Sequence, residues 1–133
     1  MSNIVLWYSA VVNGIFQLLF LHCSFASDYL EWIIVVHALT SFMNHGFSFH
    51  WWKVADRTAA TLMVSVYSWI APLQILKVCC AASVSCYLFS KLLHHYRYIR
   101  IANLFHICCH FGISIYTYIY IKWKQSQGLY ICC

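Results

Sequence analysis

Long apolar stretches with almost no charge are the feature that most constrains this chain of 133 residues. Hydrophobic residues make up 63% of the chain and charged residues 8%, whereas a soluble domain carries about 25% charged residues. So few charges cannot cover the surface of a soluble globule, and disordered chains are poor in aromatic residues, unlike this one. The sequence therefore predicts an integral membrane protein.

Five apolar segments have the length of membrane helices, because a spanning helix needs about 20 mostly apolar residues. Pro72 and Lys77 divide the longest apolar stretch into two segments. No internal repeat or second domain is visible. The predicted fold is an all-α integral membrane bundle of about five transmembrane helices, a single domain over residues 1–133. The predicted spans are 4–23, 29–45, 52–70, 73–93 and 99–121.

The first segment also resembles a signal peptide, because Ser24-Phe25-Ala26 looks like a small-residue cleavage site. No Lys or Arg precedes the apolar run, however, and the run is longer than the apolar region of a typical signal peptide. We expect it to be retained as the first helix.

The charge balance is basic, with eight Lys and Arg residues against three acids and a net charge of +5. The basic residues stand singly beside apolar segments rather than in a basic face, so no nucleic-acid partner is predicted. Lys and Arg are enriched in cytoplasmic loops, and the side holding the N-terminus would carry more of them. This favours a multi-pass protein with a cytoplasmic N-terminus. The residues on that side are Lys53, Arg57, Lys91, Arg97 and Arg100, against Lys77, Lys122 and Lys124 on the other.

Most of the eight cysteines lie inside apolar runs, where thiols behave as small hydrophobic side chains. Adjacent cysteines such as Cys79-Cys80 lack metal-ligand spacing. The terminal pair Cys132-Cys133 could be lipid-modified if it faces the cytoplasm.

Ionisable side chains at membrane depth are costly, and each is a candidate functional residue. His37, Ser41 and His45 are spaced by four and share one stripe of the second helix. His106 and His110 have the same spacing on the fifth helix, and such a pair can hold one metal ion. An imidazole from another helix, with His45 as the best candidate, would complete a three-histidine zinc site.

A depth estimate supports this convergence. His45 ends the second span where Asp56 begins the third, and the fifth span begins on the same side. At about 1.5 Å per residue, His106 and His110 lie roughly 10 and 16 Å along their span, and Asp56 roughly 6 Å along its own. These four side chains can therefore meet at one depth.

The arrangement resembles a known family. Ser41-Phe42-Met43-Asn44-His45, then Asp56, then His106-Ile107-Cys108-Cys109-His110 is similar to the S-x-x-x-H … D … H-x-x-x-H signature of the alkaline ceramidase and progestin/adipoQ-receptor superfamily of membrane hydrolases. The resemblance implies zinc ligands at His45, His106 and His110. It also implies catalytic support from Ser41 and Asp56, and a membrane lipid amide such as ceramide as the substrate.

The match covers five positions in a chain with about five helices, whereas that superfamily has seven. The missing helices would remove part of the pocket wall, and a homo-oligomer could replace it. The predicted function is a zinc-dependent intramembrane hydrolase.

Three alternatives stay open. Histidines on facing helices, such as His37 or His45 opposite His106 or His110, could ligate a haem. An oligomeric channel or proton pathway could be lined by His37, Ser41 and His45. The histidines could also be structural, each interhelical hydrogen bond contributing about 1 kcal/mol, and Asp56 could simply pair with Arg57.

Other polar and aromatic residues are predicted to have ordinary roles. Histidines at span ends are expected to be solvated; these are His22, His50, His94 and His95. Tyr116, Tyr118 and Tyr120 are expected to face the lipid or the membrane interface together.

Overall fold

The computed structural model describes residues 4–22, 29–47, 49–70 and 72–128. Within these ranges the chain is all-helical, which confirms the predicted all-α class and the five predicted helices. The elements are α1 (Ile4–His22), α2 (Tyr29–Gly46), α3 (His50–Ile70), α4 (Gln74–His95) and α5 (Ile99–Ser126). The predictions about Ser24–Ala26 and Cys132–Cys133 lie outside the described residues.

A tight turn joins α4 to α5. Arg97 adopts a left-handed backbone conformation with φ of 65°, and the Tyr98 amide then donates to the Leu93 carbonyl at 2.9 Å. This hydrogen bond satisfies a carbonyl that the end of α4 would otherwise leave free. The short connection makes α4 and α5 antiparallel neighbours, so the end of α4 lies beside the beginning of α5.

The helices form an incomplete ring. α1 packs against α2 and α5, α2 packs against α3, and α4 packs against α5, while α3 and α4 contact each other the least. α1 and α5 run parallel, because Ser9 contacts His110 and Asn13 contacts Ser114 one turn further along. The least-packed boundary of the bundle is therefore the one between α3 and α4.

Gly112 brings α4 and α5 close together. A Cβ atom at this position would collide with the side chain of Ser83 on α4. The absence of a side chain at Gly112 therefore fixes how closely the two helices approach.

The bundle exposes large apolar side chains and buries polar side chains beside an apolar core that includes Ile34, Met63 and Leu76. Trp69 is 90% exposed and Trp51 is 79% exposed, and large exposed apolar residues occur on all five helices. Soluble proteins rarely expose such continuous apolar surface. The buried polar side chains include Asn13, Gln17, His37, Ser41, Ser83, Ser90, His110, Ser114 and Thr117.

Two helices within the described ranges meet the length and hydropathy requirement for crossing a membrane. They are α4, with a mean hydropathy of 1.5, and α5, with a mean hydropathy of 1.4. A shorter apolar helical stretch covers Ile4–Leu19. Helix length and composition thus support membrane association for two helices, whereas the sequence predicted five spans.

The prediction that the three tyrosines of α5 face outward together is wrong for two of them. Tyr116 is fully buried and Tyr120 is 6% exposed, whereas Tyr118 is 45% exposed. Residues four apart share one helix face and the residue between them lies on the other side. Tyr116 stacks on Tyr67 of α3, with ring centroids 4.0 Å apart.

Candidate metal centre

The three histidines predicted as metal ligands lie together at one end of the bundle. His45 lies in the last turn of α2, and His106 and His110 lie in the first half of α5. One ring nitrogen from each lies within 4.8 Å of the other two. The ring centroids are 4.9 Å apart for His106–His110 and 5.2 Å apart for His45–His106. This histidine cluster can hold a metal ion.

The donor atoms fit such an ion. Nε2 of His45 is buried and has no hydrogen-bond partner among the described residues. A buried polar atom without a partner costs about 1–3 kcal/mol, and coordination would remove that cost. Three imidazoles are a ligand set of catalytic zinc sites, which leave a fourth position open.

Ser9 on α1 is the hydrogen-bond partner of His110. Its hydroxyl donates to the Leu6 carbonyl at 2.9 Å and lies 3.0 Å from Nδ1 of His110. A serine hydroxyl has a single proton, and the carbonyl can only accept it. When the Ser9 proton goes to that carbonyl, Nδ1 of His110 donates to Ser9, and the Nε2 lone pair of His110 is available to a metal. Metal-ligating histidines are commonly oriented by a hydrogen bond at the other ring nitrogen.

Asp56 is held by neighbours on α2. The Asn44 amide donates to a carboxylate oxygen of Asp56 at 2.6 Å, and the Ser41 side chain is close enough to act on the same carboxylate. The charge of the next residue, Arg57, acts on the Tyr87 hydroxyl on α4. The carboxylate of Asp56 is thus oriented by Asn44 and adjoins Ser41, both on the helix that carries His45.

A cavity of about 430 Å³ adjoins the histidine cluster. Its lining includes Ser41, Asp56, His106 and His110, together with apolar residues of α3, α4 and α5. It lies at the weakly packed boundary between α3 and α4. Exposed α3 residues line it at intervals of one turn, namely Arg57, Thr61 and Ser65. The structure thus brings both predicted catalytic residues to the same cavity as two of the three predicted ligands.

Sequence reasoning missed several residues at this site. Ser9 gave no signal, because a single serine in an apolar helix is usual for a small residue near a helix interface. Tyr87 and Cys109 line the cavity but read as ordinary residues of apolar runs. The sequence analysis gives His37 a role only in the haem and channel alternatives, and His37 lines the cavity with a buried Nδ1 that has no partner among the described residues.

The histidines predicted to be solvated at the span ends are solvated where the structure describes them. His50, His94 and His95 are exposed. The cysteines that the structure describes are free thiols, with Cys80 buried and Cys108 exposed.

Comparisons with protein-family models, with curated proteins and with solved structures found no match. The resemblance to the alkaline ceramidase and progestin/adipoQ-receptor superfamily therefore depends on the five motif positions of the sequence alone.

Proposed function

We propose that the protein is a zinc-dependent intramembrane hydrolase that cleaves a lipid amide of the ceramide type or a related lipid. The observation that carries the proposal is the histidine cluster beside a cavity that also contains Asp56. The order and spacing of Ser41, His45, Asp56, His106 and His110 support the same conclusion, because they resemble the signature of the ceramidase superfamily.

All five helices are proposed to cross the bilayer, with the N-terminus in the cytoplasm. Large apolar side chains are exposed on every helix, and polar side chains at membrane depth face the interior of such bundles. A homo-oligomer could cover the boundary between α3 and α4. Tags at the two ends of the chain should therefore be accessible from opposite faces of the membrane. Accessibility of both tags from one face would refute an odd number of spans.

The residues of the chain have complementary roles in this mechanism. His45, His106 and His110 would hold a zinc ion, which would act as a Lewis acid and lower the pKa of water toward neutral. Asp56 accepts a proton from the attacking water and then delivers it to the leaving amine. Asn44 holds one carboxylate oxygen of Asp56 through its amide. Ser41 donates a hydrogen bond to the water or to the oxyanion that develops on the substrate. A substrate would enter from the lipid, where its acyl chain already resides.

Asp56→Asn tests this mechanism. Loss of a general base usually lowers the rate by about 10² to 10⁴, because an amide cannot accept the proton. The three imidazoles remain, so the variant should keep its zinc. The measurement is zinc content by elemental analysis beside turnover of long-chain ceramide in mixed micelles.

Two outcomes would count against the proposal. Equal turnover by wild type and Asp56→Asn would remove the role given to the carboxylate. A wild-type protein that binds zinc but hydrolyses neither lipid amides nor lipid esters would be better described as a receptor-like or structural protein.

A proton pathway is the second candidate function, supported by polar atoms inside the bundle. Nδ1 of His37 and both amide atoms of Gln17 are buried without partners among the described residues. Proton flux in vesicles that is lost in His37→Ala but retained in His106→Ala would favour this candidate over the hydrolase.

A haem would use only two of the clustered histidines and leave Asp56 without a role. A Soret band in the absorption spectrum would be its signature.

A further inference from the structure

The mouth of the cavity carries a group of cationic and aromatic side chains that the hydrolase mechanism does not use. Arg57 on α3 and Tyr87 on α4 both line the cavity, and the Arg57 charge acts on the Tyr87 hydroxyl. The Lys91 ammonium lies 5.0 Å from the centroid of the Tyr87 ring. We call Arg57, Tyr87 and Lys91 the rim.

The rim has more positive than negative charge around it. Lys91 interacts electrostatically with Arg57 and Lys53, which repel it, and with Asp56, which attracts it. Asp56 is the acid in this group, and its carboxylate is already hydrogen-bonded by Asn44. Three cations facing one carboxylate repel each other, and an added anion between Arg57 and Lys91 would relieve that repulsion.

The position of the rim in the bundle indicates where such an anion would come from. Arg57 is in the first half of α3 and Lys91 is near the end of α4, so both lie at the same end of the bundle. Both side chains are exposed, and long cationic side chains near helix ends extend toward lipid headgroups. Basic pockets between membrane helices bind anionic headgroups for this reason.

The rim is also directly beside the histidine cluster. The Tyr87 ring is 5.8 Å from the His106 ring, centroid to centroid. Below the rim the cavity wall includes the apolar side chains of Val64, Val84 and Ile113. A headgroup held by the rim would therefore leave its acyl chain in the cavity, and the bond between them would face the histidines.

We propose that Arg57, Tyr87 and Lys91 bind the phosphate headgroup of an acylated lipid, which adds an anionic headgroup to the lipid amide or related lipid of the proposed function. The cleavage of this lipid rests on the proposed function. The binding of its phosphate headgroup rests on the rim alone. Arg suits phosphate because its planar group donates two parallel hydrogen bonds, and Lys adds a point charge.

Binding of dodecyl phosphate tests the inference. Purified, zinc-loaded protein in a neutral maltoside detergent is titrated with dodecyl phosphate and, separately, with inorganic phosphate. Dodecyl phosphate should bind, inorganic phosphate should bind at least tenfold more weakly, and added salt should weaken both. Arg57→Gln and Lys91→Gln should each weaken dodecyl phosphate binding about tenfold, and the double variant about 100-fold.

Two matched variants control for general loss of positive charge. Arg100→Gln on α5 and Lys77→Gln at the beginning of α4 remove exposed cations away from the cavity lining. Their affinity for dodecyl phosphate should stay within about twofold of wild type. All variants should keep their zinc, because none of the substituted residues belongs to the histidine cluster.

Three results would overturn the inference. These are no binding of dodecyl phosphate, equal binding of dodecyl and inorganic phosphate, and rim variants that bind as wild type does. Failure of the proposed function looks different, because zinc and lipid turnover would then be absent while the rim variants still lost affinity for dodecyl phosphate.

Discussion

Two clusters of buried polar side chains in this bundle are built differently. In the tyrosine cluster (Tyr67, Tyr116, Thr117 and Tyr120) the hydroxyls of Tyr67, Tyr116 and Thr117 bond to one another or to the backbone. The Tyr67 hydroxyl lies 3.1 Å from that of Thr117, and the Tyr116 hydroxyl donates to the Tyr67 carbonyl at 2.7 Å. Beside the histidine cluster, by contrast, Nε2 of His45 and Nδ1 of His37 are buried without partners among the described residues.

The difference indicates that the tyrosine cluster stabilises the fold, whereas the histidine cluster is suited to binding a ligand. A buried polar group that finds its partner within the bundle contributes about 0.5–1.5 kcal/mol to stability, whereas an unpartnered one costs about 1–3 kcal/mol. The tyrosine cluster needs nothing further. The histidine cluster is stabilised by whatever binds it, because a ligand that binds only the folded state raises its stability.

The largest expected effect comes from removing a ligand of the histidine cluster. His106→Ala or His110→Ala should lower zinc affinity by more than about 100-fold. The reason is that removing a residue that only orients a metal ligand already lowers metal affinity by about 10- to 100-fold. Zinc should raise the thermal midpoint of the wild type and leave that of either variant nearly unchanged. The measurements are elemental analysis and thermal unfolding in detergent with and without zinc.

Matched histidines on the same side of the bundle provide the control. His94→Ala and His95→Ala remove exposed imidazoles at the end of α4, so their zinc content should equal that of wild type. Equal zinc content in all four variants would contradict the proposed metal site. The histidine cluster would then have to be regarded as structural, like the tyrosine cluster.

The sequence was sufficient for the helices because the signal is repeated along the chain. Each apolar segment has the length of a helix, and Pro72 and Gly46 lie where helices begin or end. It was also sufficient for the convergence of His45, His106 and His110, since helix spacing and alternating direction determine which ends meet. Both arguments need only local periodicity and the order of the segments.

The sequence was insufficient where the inward face of a helix had to be identified. α5 is apolar on both faces, so nothing in its sequence distinguishes the buried Tyr116 from the exposed Tyr118. The contact of Ser9 with His110 depends on α1 packing beside α5, and neighbours in a ring of helices are a property of the whole bundle. The rim could not be predicted from the sequence for the same reason. Arg57 and Tyr87 belong to different helices, and only the packing of the bundle brings them together.

A smaller effect is expected from Ser9→Ala, which keeps the three imidazoles but removes the acceptor that fixes the His110 tautomer. Zinc affinity should fall about 10- to 100-fold, as it does when partners of metal-ligating histidines are removed. In the metal-free wild type, nitrogen NMR should find the proton on Nδ1 of His110, and Ser9→Ala should show a mixture of the two tautomers.

Two variants distinguish this positioning role from simple packing. Ser9→Thr keeps the hydroxyl and should restore zinc affinity to within a few-fold of wild type. Ser68→Ala removes a hydroxyl that contacts the Cys80 thiol at 3.4 Å, and it should leave zinc affinity unchanged. An unaltered tautomer in Ser9→Ala would show that Ser9 does not orient His110.

The smallest effect is expected in the tyrosine cluster, and there it should appear in stability alone. Thr117 donates its own proton to the Ile113 carbonyl at 3.0 Å, so the Tyr67 hydroxyl is the donor in the contact between them. Tyr67→Phe removes that one donated bond and leaves no donor unpaired, because the Thr117 proton keeps its acceptor. The free energy of unfolding should therefore fall by about 1 kcal/mol, while zinc affinity stays at the wild-type value.

Tyr118→Phe is the matched control for Tyr67→Phe, being the same substitution at a tyrosine that is 45% exposed. Surface substitutions usually change stability by less than about 0.5 kcal/mol, so this variant should unfold close to the wild-type midpoint. Thermal unfolding and zinc titration of both variants in one detergent measure the two quantities together. A loss of zinc affinity in Tyr67→Phe as large as that in Ser9→Ala would mean that the two clusters are coupled through α5. Burial of the tyrosines would then have to be counted as part of the site.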